Sequence, residues 1–309
     1  MRPLWERLCR RDRTTIFQEF DFNLLAARMF VDREAPYVVC ASASYGEAII
    51  PAALGTYNGS SCLRLIGDEL FDYRNFLWRG EDEVLRLALS SLSHHGCTLQ
   101  VTAVRQSDCD LLLPELDLIH FSAAPGIRCK QLSDEVFSQM HLRLARNLRR
   151  MERLGFELRT YDGENPQLLR TIYRDKAAQD PNSLFHDPLR SEFIVNAALL
   201  QPKRFEIFTL ESGGRLGAAL VTLLDRKVRR FYTAWFSPEL SKHSPSLSLI
   251  YEVTKRSLAA GLDCDYMTGE QPYKLRLATS SMPLFRIQAS SEQLATVGES
   301  VVGELRLAS

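Results

Sequence analysis

Residues 228–274 read VRRFYTAWFSPELSKHSPSLSLIYEVTKRSLAAGLDCDYMTGEQPYK, and this stretch decides the fold. It opens with a β-branched and aromatic run, 228–236, which is typical of a strand. Ser244-Pro245 then has the composition of a helix start, and apolar residues three or four apart follow until Gly261. A second strand is predicted at 262–267. Because a helix connects the two strands, we expect them to lie parallel in one sheet.

Apolar residues also recur with a period of two just upstream. The segments 205–210 and 216–224 both show this period, with Gly213-Gly214 between them and a second turn at 225–227. Three strands joined by tight turns predict an antiparallel meander.

The middle of the chain is predicted to be helical. Its clearest helix covers 133–154, where apolar residues recur every three or four positions and Gly155 is the stop. Asn165-Pro166 and Asp187-Pro188 each combine a capping side chain with proline at the first helical position. Two further helices are therefore expected to begin at these pairs.

The first 130 residues contain short apolar runs separated by turn residues. Strands are predicted at 37–42, 48–54, 62–66 and 99–104, with a helix at 82–95 that Gly96 closes. The length of 309 residues allows about two modules. The order of strands and helices predicts an α/β (α+β) protein with a mixed sheet.

Composition limits the classes of protein to which the chain can belong. Lysine plus arginine and aspartate plus glutamate number 38 each, so no net charge draws the whole chain to nucleic acid or to an anionic membrane. No apolar run is long enough to span a bilayer, and the basic N-terminus lacks the apolar core of a secretory signal. The seven cysteines form no CxxC pair, so we expect reduced thiols, no metal site and a cytoplasmic protein.

Several short motifs in 228–274 occur in an order that resembles one known family. The motifs are an aromatic strand, a Ser-Pro helix start, a helix ending in glycine, an aspartate-bearing strand and a Tyr-Lys pair: 231–235, Ser244-Pro245, Gly261, Asp265 and Tyr273-Lys274. This pattern resembles the acetyltransferase domain of CelD-type and BioF2-like proteins. That domain is a branch of the GNAT superfamily related to the FemAB peptidyltransferases.

Upstream residues extend the resemblance over most of the chain. Asp72-Tyr73, the run 146–150 and Leu154-Gly155 also match the family pattern. Ser246 departs from it, since the family usually has glycine there, and this puts very close approach of a ligand to that backbone in doubt.

The resemblance implies tandem GNAT-like halves, each a mixed, mainly antiparallel sheet flanked by helices. The N-terminal half, 1–130, is then degenerate, and the C-terminal half, 131–309, binds acetyl-CoA or another acyl-CoA. In GNAT proteins the cofactor's diphosphate lies against free N–H groups at a helix start beside a splayed strand, a position that favours anions in general. The expected cofactor-binding residues are Ala234, Trp235, Ser244, Pro245, Ser246 and Leu247. The alternative is that Ser244-Pro245 only begins a core helix.

The turn after the last predicted strand supplies the candidate catalytic residues. Lys274 is expected to neutralise a phosphate or a developing oxyanion, and Tyr273 to protonate the departing thiolate. Asp265 and Glu270 are the candidate bases, although Asp265 would equally serve to anchor a neighbouring turn. For Tyr273 and Lys274 the alternative is a half-buried tyrosine beside a surface lysine.

The acceptor is expected to contact residues from both halves: Asp72, Tyr73, Arg146, Arg149 and Tyr232. Arginines at 143, 146, 149, 150 and 153 occupy adjacent faces of one predicted helix and suit an anionic sugar, a nucleotide-linked acceptor or RNA. A solvated helix face is the alternative for this run, and a turn role is the alternative for Asp72.

The leading hypothesis is an acyl-CoA-dependent N- or O-acyltransferase, with acetyl as the expected group. Its acceptor would be a sugar, an envelope or polysaccharide precursor, or an amino-acid-derived molecule. One alternative is a FemAB-like transferase that uses aminoacyl-tRNA, with the arginine-rich helix contacting RNA; no other nucleic-acid partner is expected. A second is a catalytically inactive GNAT-fold accessory protein of polysaccharide biosynthesis.

Overall fold

The computed structural model describes residues 1–10, 14–57, 59–68, 70–105 and 116–297. The contacts among them form two compact units, one of residues 1–123 with 282–297 and the other of Ala124–Ser281. These units divide at 123/124 rather than at 130/131, and residues 282–297 group with the first unit. That the two parts are related GNAT-like halves stays a prediction.

Helices and strands alternate along the chain. The helices are α1 Arg2–Cys9, α2 Phe20–Met29, α3 Asp82–Ser90, α4 Asp134–Met140, α5 Leu142–Arg153, α6 Pro166–Gln179, α7 Pro188–Leu200, α8 Pro245–Ala259 and α9 Pro272–Leu277. The strands are β1 Glu34–Ala43, β2 Gly46–Tyr57, β3 Ser60–Leu65, β4 Leu77–Gly80, β5 Thr98–Arg105, β6 Asp117–Ile127, β7 Glu157–Asp162, β8 Phe205–Ser212, β9 Arg215–Asp225, β10 Val228–Phe236, β11 Asp263–Asp265 and β12 Ser280–Ala289. None of the helices in these described residues is both long and apolar enough to cross a bilayer.

The first unit has a mixed, mainly antiparallel sheet in the order β1-β2-β3-β5-β12, with β4 also paired to β2. Only the β3–β5 pair among these is parallel, which is expected because α3 lies in their connection. The apolar face of α3 packs on this sheet through Val84, Leu85 and Ala88, all fully buried.

The second unit has the order β6-β11-β10-β9-β8-β7, to which β6 contributes its C-terminal end. The β10–β11 pair is parallel and the rest are antiparallel, so the predicted meander and the predicted crossover are both present. The crossover helix α8 packs on β8 to β11, and α4 and α5 pack on α8. The mixed α/β fold with a large, mainly antiparallel sheet flanked by helices is thus confirmed.

The helix predicted at 133–154 is broken at His141, whose backbone (φ −118°, ψ 34°) is outside the helical range. The break separates α4 from α5 and allows Phe137 to stack on Tyr251 of α8, with ring centroids 5.6 Å apart. Gly155 adopts φ +81° just after the end of α5, as expected for a glycine stop.

Candidate active site

Two neighbouring strands of the second unit part from each other after a short contact. β10 pairs with β11 only from Val228 to Arg230, whereas on its other side it stays paired with β9 as far as Phe236. Residues 231–236 therefore present a strand edge that no strand covers within 124–281, all of which the structure describes. An open strand edge offers N–H and C=O groups to an extended ligand.

The strand β11 is shorter than the predicted 262–267 because the chain leaves the sheet at Tyr266-Met267. Met267 has φ +66°, and its N–H donates to Oδ1 of Asp265 at 2.8 Å. The side chain of Asp265 thus stabilises the turn that separates the strands. This geometry corresponds to the second alternative for Asp265, the anchor of a neighbouring turn.

A β-bulge lies next to the open edge. Phe231 pairs with Thr222 and Thr233 with Val221, so Tyr232 is an extra residue in β10. A bulge locally changes the direction of backbone groups and is common near active sites. Tyr232 itself is half-buried.

The helix α8 begins beside this edge with free backbone donors. Ser244 is the cap residue, but its backbone is left-handed (φ 48°, ψ 54°) and its side chain makes no capping hydrogen bond. The first helical bond runs from the N–H of Ser248 to the carbonyl of Ser244 at 3.0 Å. The N–H groups of Ser246 and Leu247 make no hydrogen bond to any residue that the structure describes. They therefore form an uncapped, partially positive helix end.

A cavity of about 480 Å³ joins the open edge of β10 to the start of α8. Its lining includes all six residues expected to bind the cofactor, Ala234, Trp235, Ser244, Pro245, Ser246 and Leu247. The structure thus brings these residues together, within one unit, in a space of ligand size.

The indole of Trp235 is an unpaired donor in the wall of this cavity. Its Nε1 is buried, and no acceptor in the described part of the chain lies within hydrogen-bonding distance. Because a buried donor without a partner is unfavourable, this N–H is available to a ligand group once local side chains adjust.

Tyr273 also lines the cavity, from the short helix α9. Burial raises the pKa of its phenol, so the hydroxyl is protonated at neutral pH and can donate a proton or a hydrogen bond. No helix was predicted at this position, whereas the structure places Tyr273 in the first turn of α9.

Lys274 does not line the cavity. It is buried, and its Nζ donates to the carbonyl oxygens of Met267 at 3.3 Å and Thr268 at 2.7 Å. This geometry corresponds to neither a phosphate contact nor a surface lysine. Instead, Lys274 holds the turn that follows β11.

The two candidate bases also lie outside the cavity lining. Asp265 forms an ion pair with Arg230 of β10, and Glu270 is exposed. Asp265 is therefore paired, and neither carboxylate lines the cavity.

The candidate acceptor-binding residues belong to both units. Asp72 and Tyr73 belong to the first unit, where Tyr73 is fully buried and packs near Phe17. Arg146 and Arg149 are exposed on α5 and do not line the cavity. Their roles stay predictions.

The cavity lining also contains three residues that the sequence did not indicate, Lys176 and Gln179 of α6 and Asp180 directly after it. A lysine in the last turn of a helix is ordinary, so the local pattern contained no signal for them. Within the residues that the structure describes, no group of three or more His, Cys, Asp or Glu side chains is arranged to bind a metal ion.

Comparison with known proteins gives a family match for the segment that contains the candidate site. Residues 138–275 match the family described as acetyltransferase (GNAT) domain. This segment contains the open edge of β10, the start of α8 and Tyr273. No curated protein sequence matches the chain significantly.

Solved structures resemble nearly the whole chain. FemX is 8% identical with a TM-score of 0.63, covering 96% of this chain and 98% of that one. A conserved protein of unknown function from Bacteroides thetaiotaomicron has the same identity and TM-score, covering 94% and 98%. The C-terminal domain (DUF2156) of an Agrobacterium fabrum protein assigned as a lysylphosphatidylglycerol synthetase is 10% identical with a TM-score of 0.61, covering 97% and 95%. At such low identity these similarities establish the fold alone.

Proposed function

Because residues 138–275 make this chain a member of the GNAT superfamily of acyltransferases, and its fold is that of FemX, we propose that it transfers an acyl group from acyl-CoA. The single observation that supports this most is the cavity in which the free N–H groups of Ser246 and Leu247 meet the open edge of β10. The acyl group we propose is acetyl. We also propose that this chain belongs to the CelD and BioF2-like branch of the superfamily.

The residues present fit coenzyme A. An uncapped helix start binds a diphosphate through backbone N–H groups and the helix dipole. The strand edge at 231–236 provides main-chain partners for an arm that carries amides, and Trp235 provides one further donor. Bound there, the cofactor supplies the acyl group as an activated thioester.

Positioning is the main contribution of this chain to the reaction. Holding an acceptor amine or hydroxyl against a thioester supplies several kcal/mol, about 7–11 kcal/mol in well-oriented cases. The bulge at Tyr232 changes the direction of backbone groups of β10, and an N–H group there would stabilise the charge that develops on the thioester oxygen. Tyr273, kept protonated by burial, is the proposed proton donor to the leaving thiolate.

The acceptor we propose is a sugar, an envelope or polysaccharide precursor, or an amino-acid-derived molecule, acylated on nitrogen or oxygen. Cytoplasmic location is also a proposal. It is supported by six free cysteines among the described residues, since reduced thiols are typical of a reducing compartment.

Thermal unfolding with acetyl-CoA tests the proposal. A ligand at one hundred times its dissociation constant adds about 2.7 kcal/mol to the free energy of unfolding. We expect such stabilisation with acetyl-CoA and with free coenzyme A. An unchanged melting temperature at millimolar concentrations of both would instead favour the accessory-protein alternative.

The exposed arginines of α5 favour a second candidate, an aminoacyl-tRNA-dependent transferase. Arg143, Arg146, Arg150 and Arg153 are exposed, and none forms an ion pair with a carboxylate that the structure describes. RNA binding through them would weaken steeply as salt concentration rises, whereas coenzyme A binding would depend on salt far less. Titration of labelled tRNA at two salt concentrations distinguishes the candidates, and absence of binding at low salt removes the second one.

A further inference from the structure

Lys176 lies against the open strand edge inside the cavity. It belongs to the last turn of α6, and its Nζ donates to the carbonyl oxygen of Ala234 at 3.1 Å. Ala234 is two residues from the bulged Tyr232 of β10. The amine is therefore fixed beside the strand on which the proposed thioester arm would lie.

The surroundings of Lys176 disfavour its charged form. Burial lowers the pKa of its ammonium group, and Asp180, the residue directly after α6, opposes this shift only in part. A lysine whose pKa is lowered has a larger neutral fraction at a given pH, and the neutral amine is a nucleophile.

No other charged side chain lines the cavity, all of whose lining residues belong to the described part of the chain. β10 contributes Ala234, Trp235 and Phe236 to the lining. Among the remaining lining residues are Ser246 of α8 and Tyr273 of α9, and burial raises the pKa of the Tyr273 phenol. Apart from Asp180, therefore, no carboxylate stabilises the ammonium form of Lys176.

We propose that Lys176 is a self-acylation site, which takes the acyl group from the thioester bound in this cavity when no acceptor is present. The neutral Nζ attacks the thioester carbonyl carbon, a C–N amide bond forms, and the C–S bond breaks. The proton lost by Nζ passes to the leaving sulfur, so the products are acyl-lysine and the free thiol of coenzyme A. The proposal rests on acyl-CoA being the cofactor, as proposed above.

Self-acylation would switch the site off. An amide is stable to hydrolysis at neutral pH, the positive charge of Lys176 is lost, and the added acyl group occupies part of the 480 Å³ cavity. A modified molecule would therefore bind a second cofactor more weakly. The acceptor would protect the enzyme by consuming the acyl group first.

The test is incubation of the full chain with acetyl-CoA and no acceptor, followed by proteolysis and mass spectrometry. Lys203 and Lys242, both exposed, are internal controls for uncatalysed acetylation. We expect acetylation of Lys176 to be about tenfold or more faster than that of either control, because the bound thioester has a high local concentration. Free coenzyme A should suppress it, and the rate should rise with pH.

A matched variant, Lys176→Arg, keeps a positively charged donor for the Ala234 carbonyl but has no amine that reacts with a thioester. After pre-incubation with acetyl-CoA and desalting, the wild-type protein should lose its thermal response to fresh acetyl-CoA, and Lys176→Arg should keep it.

The outcomes separate the two proposals. If acetyl-CoA stabilises the protein but Lys176 is acetylated no faster than Lys203, self-acylation is wrong and the proposed cofactor stands. If acetyl-CoA neither stabilises the protein nor modifies Lys176, both are wrong. If free coenzyme A does not suppress acetylation of Lys176, the acetyl group does not come from a thioester bound in the cavity, and the inference is wrong.

Discussion

Arg230 joins Asp225 of β9 to Asp265 of β11 at the last residue where β10 and β11 pair. Its guanidinium donates to Asp225 Oδ2 at 2.8 and 2.9 Å and also forms an ion pair with Asp265. Arg230 and Asp225 are 8% and 4% exposed, so the pairing is almost completely screened from water. This buried group connects three adjacent strands directly before the sheet opens into the candidate active site.

Replacing Arg230 with Met should destabilise the protein strongly. The change leaves Asp265 without this cation, while Asp225 keeps Arg204 at 3.4 Å. Removing one partner of a buried ion pair costs about 3–5 kcal/mol, and we expect about 3 kcal/mol because of that second contact. Urea denaturation measures this change.

The matched control for Arg230 is Arg256→Met, which breaks a pair with Glu252 in which the arginine is 53% exposed. A loss under about 1 kcal/mol is expected there. A similarly small loss for Arg230→Met would show that the buried group does not stabilise the point of strand separation.

Replacing Lys274 with Met should lower stability and leave cofactor binding unchanged. The variant removes the donor to the carbonyls of Met267 and Thr268, and unsatisfied buried acceptors cost about 1–3 kcal/mol. Isothermal titration with acetyl-CoA and urea denaturation separate the two effects. If the variant instead binds acetyl-CoA more weakly and is as stable as the wild type, Lys274 contacts a phosphate, as the sequence suggested.

Local signals in the sequence were sufficient for much of the fold. The side chain of Asn165 accepts from the N–H of Leu168, and that of Asp187 accepts from Leu189, so both predicted helix starts are confirmed together with their caps. The antiparallel meander and the parallel β10–β11 pair are confirmed as well. In these cases residues close in sequence determine the structure.

Features that depend on distant contacts were not predictable. β11 is three residues long because Asp265 and Met267 turn the chain out of the sheet. Lys176 is 58 residues from Ala234, so no local pattern connects the two. Helices α1, α2 and α9 and strands β4, β6, β7 and β12 were also missed, since short elements of this kind depend on tertiary packing more than on periodicity.

Replacing Ser246 with Asp should weaken cofactor binding while leaving the fold intact. A carboxylate at the start of α8 stabilises the helix by about 0.3–1 kcal/mol, but it repels a diphosphate at the same place. We expect a Kd for acetyl-CoA raised about tenfold or more by this repulsion. Ser246→Asn, similar in size but neutral, is the control. Equal affinities of the two variants would place the diphosphate elsewhere.

Lys176 should make stability depend on pH in the alkaline range. Its pKa is lowered on folding from the ordinary value of 10.5, so the unfolded chain binds more protons between the folded pKa and that value. Stability contributed by Lys176 therefore rises with pH in this window. Lys176→Met should remove this rise in urea denaturation experiments at alkaline pH below 10.5, whereas Lys242→Met should not. An identical pH dependence in all three proteins would contradict the lowered pKa.

A crystal structure of the protein with coenzyme A bound tests the central claim most directly. The account predicts diphosphate oxygens at about 3 Å from the backbone nitrogens of Ser246 and Leu247, with the pantetheine arm along residues 231–236 of β10. Coenzyme A bound at any other place, or crystals that contain none after soaking at millimolar concentration, would contradict the account.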